Sequence, residues 1–477
     1  MDSLEHVKPR LRATIIGGGL AGLAAAVALA DRGFALTILE SRPRLGGRAG
    51  SFTDQVSGDL IDNCQHVSMA CCTNLADFCK RVGGESLFRR EKSMTFLSPE
   101  GKYSTLKPGI LPAPFHLAES FLRANYLTFV EKMRVAYGLA RLCSYRIKSD
   151  QEPLATWLKR HAQTDRTIER YWAPVLVSAL NELPEQMDIG HAKKVFVDGF
   201  LRNKIGHQME VPLVPLGELY GRRLETWLNN HKVDVKLNSS IRTIEKHDDG
   251  TFGVELRSGG KIDSDIVLIA VPFDRIRSLI APRLLAEIPT LATIDQMAAS
   301  PITGVHLWFD RDVCPHDHVV VIGHLVQWVF NHTAIQEPQS GKGGQYLQVV
   351  ISASYNLLRS NKEEILQRVV DDLESIWPTT RAATLLRSRV VTEHGATFAV
   401  RPGVDQLRPT QRTPVPGLFL AGDWTETGWP ATMEGAVRSG YLAAEQILAD
   451  SGEPAQLLAP PLPQGWLARL LLGNQNN

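Results

Sequence analysis

A glycine-rich turn between an apolar strand and an alanine-rich helix constrains this chain more than any other feature of its sequence. Residues 13–16 read Ala-Thr-Ile-Ile, and residues 23–30 read Leu-Ala-Ala-Ala-Val-Ala-Leu-Ala. Between the two runs, Gly17, Gly19 and Gly22 form a G-x-G-x-x-G pattern. In such a pattern the first glycine permits a tight turn, the second lets the backbone approach a pyrophosphate, and the third allows close helix–strand packing. The helix then presents free N–H groups to an anion, so the pattern predicts a dinucleotide-binding β-α-β unit.

A second apolar strand follows this helix and ends in an acidic residue. Residues 35–39 read Ala-Leu-Thr-Ile-Leu and are followed directly by Glu40. A carboxylate at this offset suits the ribose hydroxyls of an adenosine and repels a 2′-phosphate. This context favours nucleotide binding over the alternative of a purely structural β-α-β unit.

Composition and charge exclude several other classes of protein. The chain has 477 residues, of which 44% are hydrophobic and 22% charged, and this excludes global disorder. Fifty-two Lys and Arg against 51 Asp and Glu leave a net charge of +1, which gives no electrostatic footprint for nucleic acid.

The six cysteines include no Cys-x-x-Cys pair, so we expect no disulfide framework and no metal site, but reduced thiols in a cytoplasmic protein. The uncharged run 13–30 holds four glycines in six residues, so we expect neither a signal peptide nor a membrane-spanning helix.

The segment after Glu40 indicates which dinucleotide is bound. Residues 41–48 read Ser-Arg-Pro-Arg-Leu-Gly-Gly-Arg. The R-x-G-G-R part resembles the flavin-containing amine oxidase and carotenoid desaturase superfamily, which carries such a segment at this point. The resemblance implies FAD as the cofactor, with the glycine pair and the arginines along its pyrophosphate and ribityl chain. Two glycines expose amides and arginines neutralise phosphate, which agrees with this assignment; a solvated basic loop is the alternative.

A second signature lies near the C-terminus. Residues 417–424 read Gly-Leu-Phe-Leu-Ala-Gly-Asp-Trp, and residues 430–440 read Pro-Ala-Thr-Met-Glu-Gly-Ala-Val-Arg-Ser-Gly. The pattern predicts a short strand with an acid at its end, then a loop and a helix. By the same resemblance Asp423 contacts the ribityl chain, and the helix N-terminus faces the flavin pyrimidine edge, where its dipole favours anionic reduced flavin. Gly435 and Gly440 are poor helix formers, so we expect close backbone approach at these positions.

The resemblance covers essentially the whole chain and implies both the cofactor contacts and the architecture. The residues expected to contact FAD are Gly17, Gly19, Leu20, Ala21, Gly22, Glu40, Ser41, Arg42, Arg44, Gly46, Gly47, Arg48, Ile241, Gly422, Asp423, Thr432, Met433, Glu434 and Ala436. The expected fold class is α/β, with a Rossmann-like FAD-binding domain of the GR2 type interleaved with an α+β substrate domain and a helical cap. The expected boundaries are an FAD-binding domain at 10–104, 196–275 and 405–450, a helical cap at 105–195, a substrate-domain sheet at 276–404 and a tail at 451–477.

The segment expected beside the flavin ring carries the candidate catalytic residues. Residues 62–66 read Asp-Asn-Cys-Gln-His, which resembles the Asp-Asn-Gly-Gln-His of the hydroxysqualene dehydroxylases, with Cys64 in place of the glycine. That branch removes the allylic hydroxyl of hydroxysqualene, a C30 isoprenoid, to give squalene in squalene and hopanoid biosynthesis. The departing hydroxyl needs a proton donor, and we expect His66 in that role, with Asp62 orienting or charging it and Gln65 placing the hydroxyl or the flavin. The alternative is that all three side chains only hydrogen-bond the loop beside the flavin.

Three other activities remain open on the sequence. Carotenoid-type desaturases share the fold and a linear isoprenoid substrate. Amine oxidases usually carry a tyrosine of an aromatic cage where this chain has Thr432, although Trp424 or Trp429 could replace that ring. Non-redox prenyl-lipid carriers, the escort and GDP-dissociation-inhibitor proteins, have a related fold but do not need a complete FAD site. The sequence identifies neither the reductant of the flavin nor the direction of electron flow.

Two apolar segments bear on a further partner. Residues 105–195 read as helical, with apolar positions at three-to-four spacing in 115–122 and 130–142. We expect a helical cap over the flavin; the alternative is that its apolar face meets a greasy substrate or a membrane surface. Residues 465–472 read Gly-Trp-Leu-Ala-Arg-Leu-Leu-Leu and fit either packing or peripheral contact with a membrane.

Overall fold

Five parallel strands drawn from distant parts of the chain form a central sheet. The computed structural model describes residues 10–55, 57–146, 152–336 and 344–474. In spatial order the strands of the sheet are β10 (Asp234–Lys236), β2 (Ala35–Leu39), β1 (Arg12–Ile16), β14 (Ile266–Ile269) and β20 (Leu418–Leu420). Since β2 and β14 flank β1 in parallel, the carboxyl ends of all three strands meet at the edge where the glycine turn begins.

Two helices pack against each other on this sheet. Helix α1 (Leu20–Leu29) connects β1 to β2 and is buried along its whole length, while α15 (Met433–Asp450) follows β20 and packs across α1. A Cβ atom on Gly440 would lie 2.2 Å from the carbonyl oxygen of Ala21, so the two helices approach this closely only with glycine. The close backbone approach expected at Gly440 is therefore confirmed, and its partner is another helix.

A seven-stranded sheet forms the second layer. In spatial order its strands are β19 (Leu385–Phe398), β15 (Ala299–Phe309), β18 (Gln345–Ser352), β17 (Trp328–Asn331), β16 (His318–Val321), β7 (Met94–Leu97) and β8 (Tyr103–Leu106). Strand β7 pairs in parallel with β16 through Phe96 and Val320, and β8 pairs with β7. The end of the expected FAD-binding segment 10–104 thus supplies β7 and the start of β8 to the seven-stranded sheet, and the expected domain boundaries stay a prediction. The partner strand lies far along the chain, and the local sequence does not reveal it.

Three small sheets contain the remaining strands. They are β11 (Ile241–Lys246) with β12 (Phe252–Leu256) and β13 (Lys261–Ser264), β3 (Ser51–Thr53) with β4 (Leu60–Asp62), and β5 (Ser68–Met69) with β9 (Met209–Pro212) and β6 (Phe88–Glu91). Strands β4 and β5 matter most for the site, because the candidate catalytic segment 62–66 begins at the last residue of β4 and leads towards β5.

The remaining helices include α3 to α8, which lie in the region 105–195 that is expected to form the cap. The other α-helices are α2 (Thr73–Arg81), α3 (Ala118–Arg123), α4 (Phe129–Cys143), α5 (Leu154–Arg160), α6 (Asp165–Thr167), α7 (Ala173–Leu180), α8 (Ile189–Lys194), α9 (Arg223–Asn230), α10 (Phe273–Ile276), α11 (Pro282–Ala286), α12 (His332–Ile335), α13 (Lys362–Ile376), α14 (Val404–Leu407) and α16 (Trp466–Leu472). Three π-helical segments continue them at Ile168–Trp172, Val195–Leu201 and Gly217–Arg222. Short 3₁₀ helices lie at Glu85–Leu87, Phe115–Leu117, Arg277–Leu279, Pro289–Leu291, Ile294–Gln296, Tyr355–Leu357 and Pro378–Ala382. Within the described ranges, no helix is both long and apolar enough to cross a bilayer.

Candidate active site

A cavity of about 820 Å³ lies between the parallel sheet, the seven-stranded sheet and the helices of the cap. Its wall contains every residue expected to contact FAD except Gly22 and Arg44. It also contains two of the three candidate catalytic residues, Gln65 and His66, but not Asp62. The fold therefore brings both glycine-rich signatures and most of the catalytic segment to one place.

The three glycines of the first turn meet different surroundings, as their expected roles require. A Cβ on Gly17, whose φ is +112°, would lie 2.5 Å from the Ala270 carbonyl oxygen, and one on Gly22 would lie 2.1 Å from the Gly17 carbonyl oxygen. Both positions exclude a side chain because the protein itself fills the space. The nearest atom to a Cβ on Gly19 is the Gly47 Cα, 3.9 Å away. The open space at Gly19 therefore faces the cavity, where a pyrophosphate can approach the backbone.

Glu40 is held rigidly at the end of β2 that borders the cavity. Its carboxylate accepts hydrogen bonds from the backbone N–H of Gly18 at 2.7 Å and of Arg42 at 2.8 Å. Ile241, another residue expected to contact FAD, lies in the same wall. A carboxylate fixed in this way is preorganised to accept hydrogen bonds from ribose hydroxyls.

Arg48 links three parts of the wall. Its Nη2 donates to Asp423 Oδ1 at 2.6 Å, and its Nη1 donates to the carbonyl oxygen of Ala396 at 2.9 Å. Arg44, from the same R-x-G-G-R segment, lies outside the wall, and its buried Nε has no hydrogen-bond partner among the described residues. The cofactor contact expected of Arg44 therefore stays a prediction.

The N-terminus of α15 also faces the cavity. Thr432 caps the helix, since its Oγ1 accepts a hydrogen bond from the Gly435 N–H at 3.0 Å. Glu434 lies in the wall as expected, but its carboxylate accepts hydrogen bonds from the side chain of Asn74 at 2.8 Å and from the N–H of Leu75 at 2.7 Å. These groups stand at the start of α2, so the carboxylate joins two helices rather than pointing at a ligand. Burial raises the pKa of Glu434 above its ordinary value.

His66 borders the cavity with a defined proton position. Its Nδ1 lies 2.8 Å from the Cys64 carbonyl oxygen, which can only accept, so the proton of the neutral ring is on Nδ1. Burial lowers the pKa of His66 from its ordinary value of 6.5, and the positive charge of Arg48 acts in the same direction. The neutral ring therefore keeps a free lone pair on Nε2, which suits a proton acceptor.

Gln65 and Asp62 differ in how they relate to the cavity. Gln65 is 7% exposed and lies in the wall, and its Oε1 has no hydrogen-bond partner in the described part of the chain. Asp62 turns the other way: its Oδ1 accepts from the Ser51 hydroxyl and from the Leu216 N–H at 2.9 Å. Burial raises the pKa of Asp62 to about 7, against the smaller opposite effect of these two hydrogen bonds. The expected orienting contact between Asp62 and His66 is not among the hydrogen bonds of either residue.

The remainder of the wall is largely apolar and aromatic, and its residues were not predicted from the sequence as part of a site. Its members include Met94, Phe96, Met209, Ile302, Trp328, Phe330, Val350, Val175 and Phe200. Met94 with Phe96, and Trp328 with Phe330, alternate at the two-residue period of a strand that faces a cavity. That period was available in the sequence, but the facing of the two strands depends on their pairing in the seven-stranded sheet.

The cavity also contains an internal ammonium against an aromatic ring. Lys194 Nζ lies 4.7 Å from the ring centroid of Trp429 and 2.9 Å from Asp198 Oδ2, and all three residues line the cavity. Trp424 lies outside the wall, with its Nε1 donating to the Val271 carbonyl oxygen. The ammonium group of Lys194 thus lies over one face of the Trp429 ring, in a cation–π contact.

Three features of the site fit FAD: the open backbone at Gly19, the fixed carboxylate of Glu40 and the Arg48–Asp423 ion pair. The site is that of an FAD-dependent oxidoreductase. Residues 20–448 match the family described as flavin containing amine oxidoreductase, and the chain belongs to this family. The expected fold class and the expected cofactor are thereby confirmed.

Known proteins with similar sequences include carotenoid desaturases. The chain is 29% identical over 469 residues to the 15-cis-phytoene desaturase of Narcissus pseudonarcissus, a match that covers 92% of this chain and 80% of that protein. It is 26% identical to the 15-cis-phytoene desaturase of Synechococcus elongatus, over 93% of this chain and 97% of the relative. Among solved structures, cyclohexylamine oxidase from Brevibacterium oxydans IH-35A shares the fold, with a TM-score of 0.68, 17% identity, and coverage of 93% of this chain and 100% of that one.

Proposed function

We propose that this flavoprotein desaturates a long, apolar isoprenoid chain. The observation that carries the proposal is the apolar and aromatic wall of the cavity, which meets His66 next to the residues expected to contact FAD. Such a wall accommodates a hydrocarbon chain and excludes water from it. The similarity to phytoene desaturases from two organisms supports the same substrate class.

The residues of the cavity have separate tasks in this reaction. Desaturation removes a hydride and a proton from neighbouring carbons; FAD, when bound, supplies the two-electron acceptor. The aromatic strands β7 and β17 hold the chain in place. His66 accepts the departing proton on Nε2, because its Nδ1 proton is already committed to the Cys64 carbonyl.

A second candidate is the reductive dehydroxylation of hydroxysqualene to squalene. One specific observation favours it: the buried Oε1 of Gln65 has no partner among the described residues, and a hydroxyl group on the substrate can donate to it. The Asp-Asn-Cys-Gln-His segment supports the same choice through its resemblance to the dehydroxylases. In this reaction a proton donor must protonate the departing hydroxyl, so His66 would have to be charged when substrate binds.

Two observations speak against amine oxidation. Thr432 stands where amine oxidases usually carry a cage tyrosine, and it caps a helix. The remaining candidate ring, Trp429, already faces Lys194.

A non-redox lipid carrier would not need the FAD site that this family membership implies.

Two reactions run in parallel test the proposal. The oxidised holoenzyme is incubated anaerobically with detergent-dispersed 15-cis-phytoene, and the chemically reduced holoenzyme with detergent-dispersed hydroxysqualene, each followed by mass spectrometry and flavin absorbance. We expect loss of two hydrogens from phytoene in step with flavin reduction. Squalene formation in step with flavin oxidation, without phytoene desaturation, would replace the first function by the second.

A further inference from the structure

Lys194 is the one lysine that the described part of the chain contributes to the cavity wall. Its Nζ donates to Asp198 Oδ2 at 2.9 Å and lies 4.7 Å from the centroid of the Trp429 ring. An ammonium group has three N–H donors, and Asp198 is its single hydrogen-bond acceptor among the described residues. At least one N–H therefore remains for a group that enters the cavity.

The backbone next to Lys194 is of an uncommon type. Helix α8 ends at Lys194, and the π-helical segment Val195–Leu201 continues it and places Asp198 in the same wall. π-helical turns are rare in proteins and are frequent at functional sites. The ion pair of Lys194 and Asp198 thus lies on the kind of segment that often carries functional residues.

The charges around Lys194 leave a surplus of positive charge beside the cavity. Asp198 pairs with Lys194 and with Arg202, each at 2.9 Å, so two cations share one carboxylate. The other nearby acid, Glu434, accepts hydrogen bonds from the start of α2. Arg202 alone can neutralise Asp198, and it lies outside the wall. The Lys194 ammonium is therefore the charge that a negative group in the cavity would meet.

This positive charge lies beside the first turn of α15. A Cβ on Gly435, in that turn, would lie 3.7 Å from the Cβ of Trp429. Trp429 thus packs against the turn, while its ring faces the Lys194 ammonium. Thr432 and Met433, at the start of this helix, are expected to contact FAD and line the same cavity. The positive end of the helix dipole and Lys194 therefore act on one part of the cavity.

Hydride transfer to FAD brings a negative charge into the cavity. A hydride carries two electrons and one proton, whereas reduction of FAD to its neutral form takes two electrons and two protons. In the proposed desaturation the second hydrogen leaves the substrate as a proton and goes to His66, so the flavin ring gains one negative charge. The hydrocarbon substrate itself has no charge. The alternative dehydroxylation starts from the same anionic reduced flavin and returns the hydride.

We propose that Lys194 is the electrostatic partner of the anionic reduced flavin ring. Its charge stabilises reduced FAD relative to oxidised FAD and so raises the reduction potential of the bound cofactor. Asp198 and Trp429 are positioning residues, since they hold the ammonium at the wall. The inference rests on the proposed function for the hydride transfer that produces the anion.

Reduction potentials of the FAD-loaded full chain, measured by anaerobic equilibration with redox dyes, test the proposal. Lys194→Met removes the charge and leaves Asp198 paired with Arg202. Lys193→Met is the matched control, since it removes the same charge from the same helix but outside the wall. We expect Lys194→Met to weaken the preference for reduced over oxidised FAD about tenfold, which lowers the two-electron potential by about 30 mV. Lys193→Met and Lys194→Arg should keep the wild-type potential.

The pH dependence of the potential reports the charge of the reduced flavin. Uptake of one proton with two electrons gives about 30 mV per pH unit, and uptake of two protons gives about 59 mV. His66 stays neutral between about pH 7.5 and 9, because burial lowers its pKa from 6.5. Asp62, whose pKa burial raises to about 7, lies outside the wall and is mostly ionised in this range. We expect the smaller slope for the wild type and a larger one for Lys194→Met.

Four outcomes would overturn the proposal. They are a wild-type slope of about 59 mV per pH unit, an equal shift in Lys193→Met, a shift in Lys194→Arg as large as in Lys194→Met, and loss of flavin from both Lys194→Met and Lys194→Gln, which would make Lys194 a binding residue for oxidised FAD. If only Lys194→Met loses its flavin, Lys194→Gln takes its place with the same expectation. These measurements contain no isoprenoid, so their failure is distinguishable from failure of the proposed function.

Discussion

Arg48 Nη2 lies 2.6 Å from Asp423 Oδ1, although 375 residues separate the two along the chain. Each residue belongs to one of the two signatures that indicate FAD, and each lines the cavity. The ion pair therefore joins the first and last segments that are expected to form the FAD-binding domain, in the wall of the cavity.

Removing the Arg48 side chain should lower both the stability of the protein and its FAD content. We expect Arg48→Met to leave the nearly buried Asp423 without its partner and to lower the free energy of unfolding by about 2–4 kcal/mol, discounted for the partial exposure of Arg48. FAD content should fall as well. The measurements are urea unfolding and the flavin-to-protein absorbance ratio. Arg311→Met, which removes a surface pair with Asp310, is the control and should cost less than about 1 kcal/mol. Equal effects of the two substitutions would contradict the prediction.

Gly19 provides a substitution that separates cofactor binding from folding. The protein leaves room for a Cβ at Gly19, so we expect Gly19→Ala to change the free energy of unfolding of the apoprotein by less than about 1 kcal/mol. The added methyl group should nevertheless reduce FAD affinity by about tenfold or more, because it occupies the approach of the pyrophosphate. Isothermal titration of the apoprotein with FAD measures this. Gly221→Ala, at another glycine with free space, should retain full affinity; undiminished binding by Gly19→Ala would refute the assigned role.

His66 gives the two candidate reactions opposite pH dependences. As a proton acceptor it must be neutral, and since burial lowers its pKa from 6.5, desaturation should be lost only below that pH and should be constant above it. As a proton donor it must be charged, so dehydroxylation should increase as the pH falls through the same range. The measurement is kcat against pH for each substrate.

Replacement of His66 tests whether that pH dependence belongs to it. His66→Ala should lower kcat by about 10²–10⁴-fold and abolish the acidic limb, while the protein retains its flavin. His247→Ala, in the turn between β11 and β12, serves as the control and should leave the profile unchanged. A profile with the same limb in both variants would remove His66 from the mechanism.

Asp62 is predicted to make stability depend on pH. Burial raises its pKa in the folded state to about 7 from an ordinary 3.8, so its stabilising contribution is complete below about pH 4 and is lost as the pH rises through 7. Asp62→Asn keeps an oxygen that accepts from Ser51 and Leu216 but cannot ionise. Relative to wild type, the variant should therefore gain up to about 4 kcal/mol in free energy of unfolding above pH 7 and nothing near pH 4. Urea unfolding across this range measures the difference, and parallel curves for the two proteins would disprove it.

Several features of the cofactor site could be predicted because they depend on residues close together in the chain. The strand, the turn at Gly17, Gly19 and Gly22, and the acid at Glu40 lie within a single β-α-β unit, whose geometry follows from backbone conformation and local apolar patterning. The C-terminal signature was recognisable for the same reason. The close backbone approach at Gly440 was predicted because glycine is a poor helix former. The sequence did not show that the partner would be helix α1.

Other features were decided by tertiary structure alone. Three of these features join residues that are far apart in the chain. They are the pairing of β7 with β16, the hydrogen bonds between the Glu434 carboxylate and the start of α2, and the position of Lys194 over the Trp429 ring. Asp62 likewise turns to Ser51 and Leu216 instead of His66. Sequence alone determined which local units form, since short-range backbone preferences encode them, and its resemblance to a flavin-containing superfamily indicated the cofactor. The direction that each polar side chain takes, and the wall that the substrate meets, depend on long-range packing, which no single segment of sequence encodes.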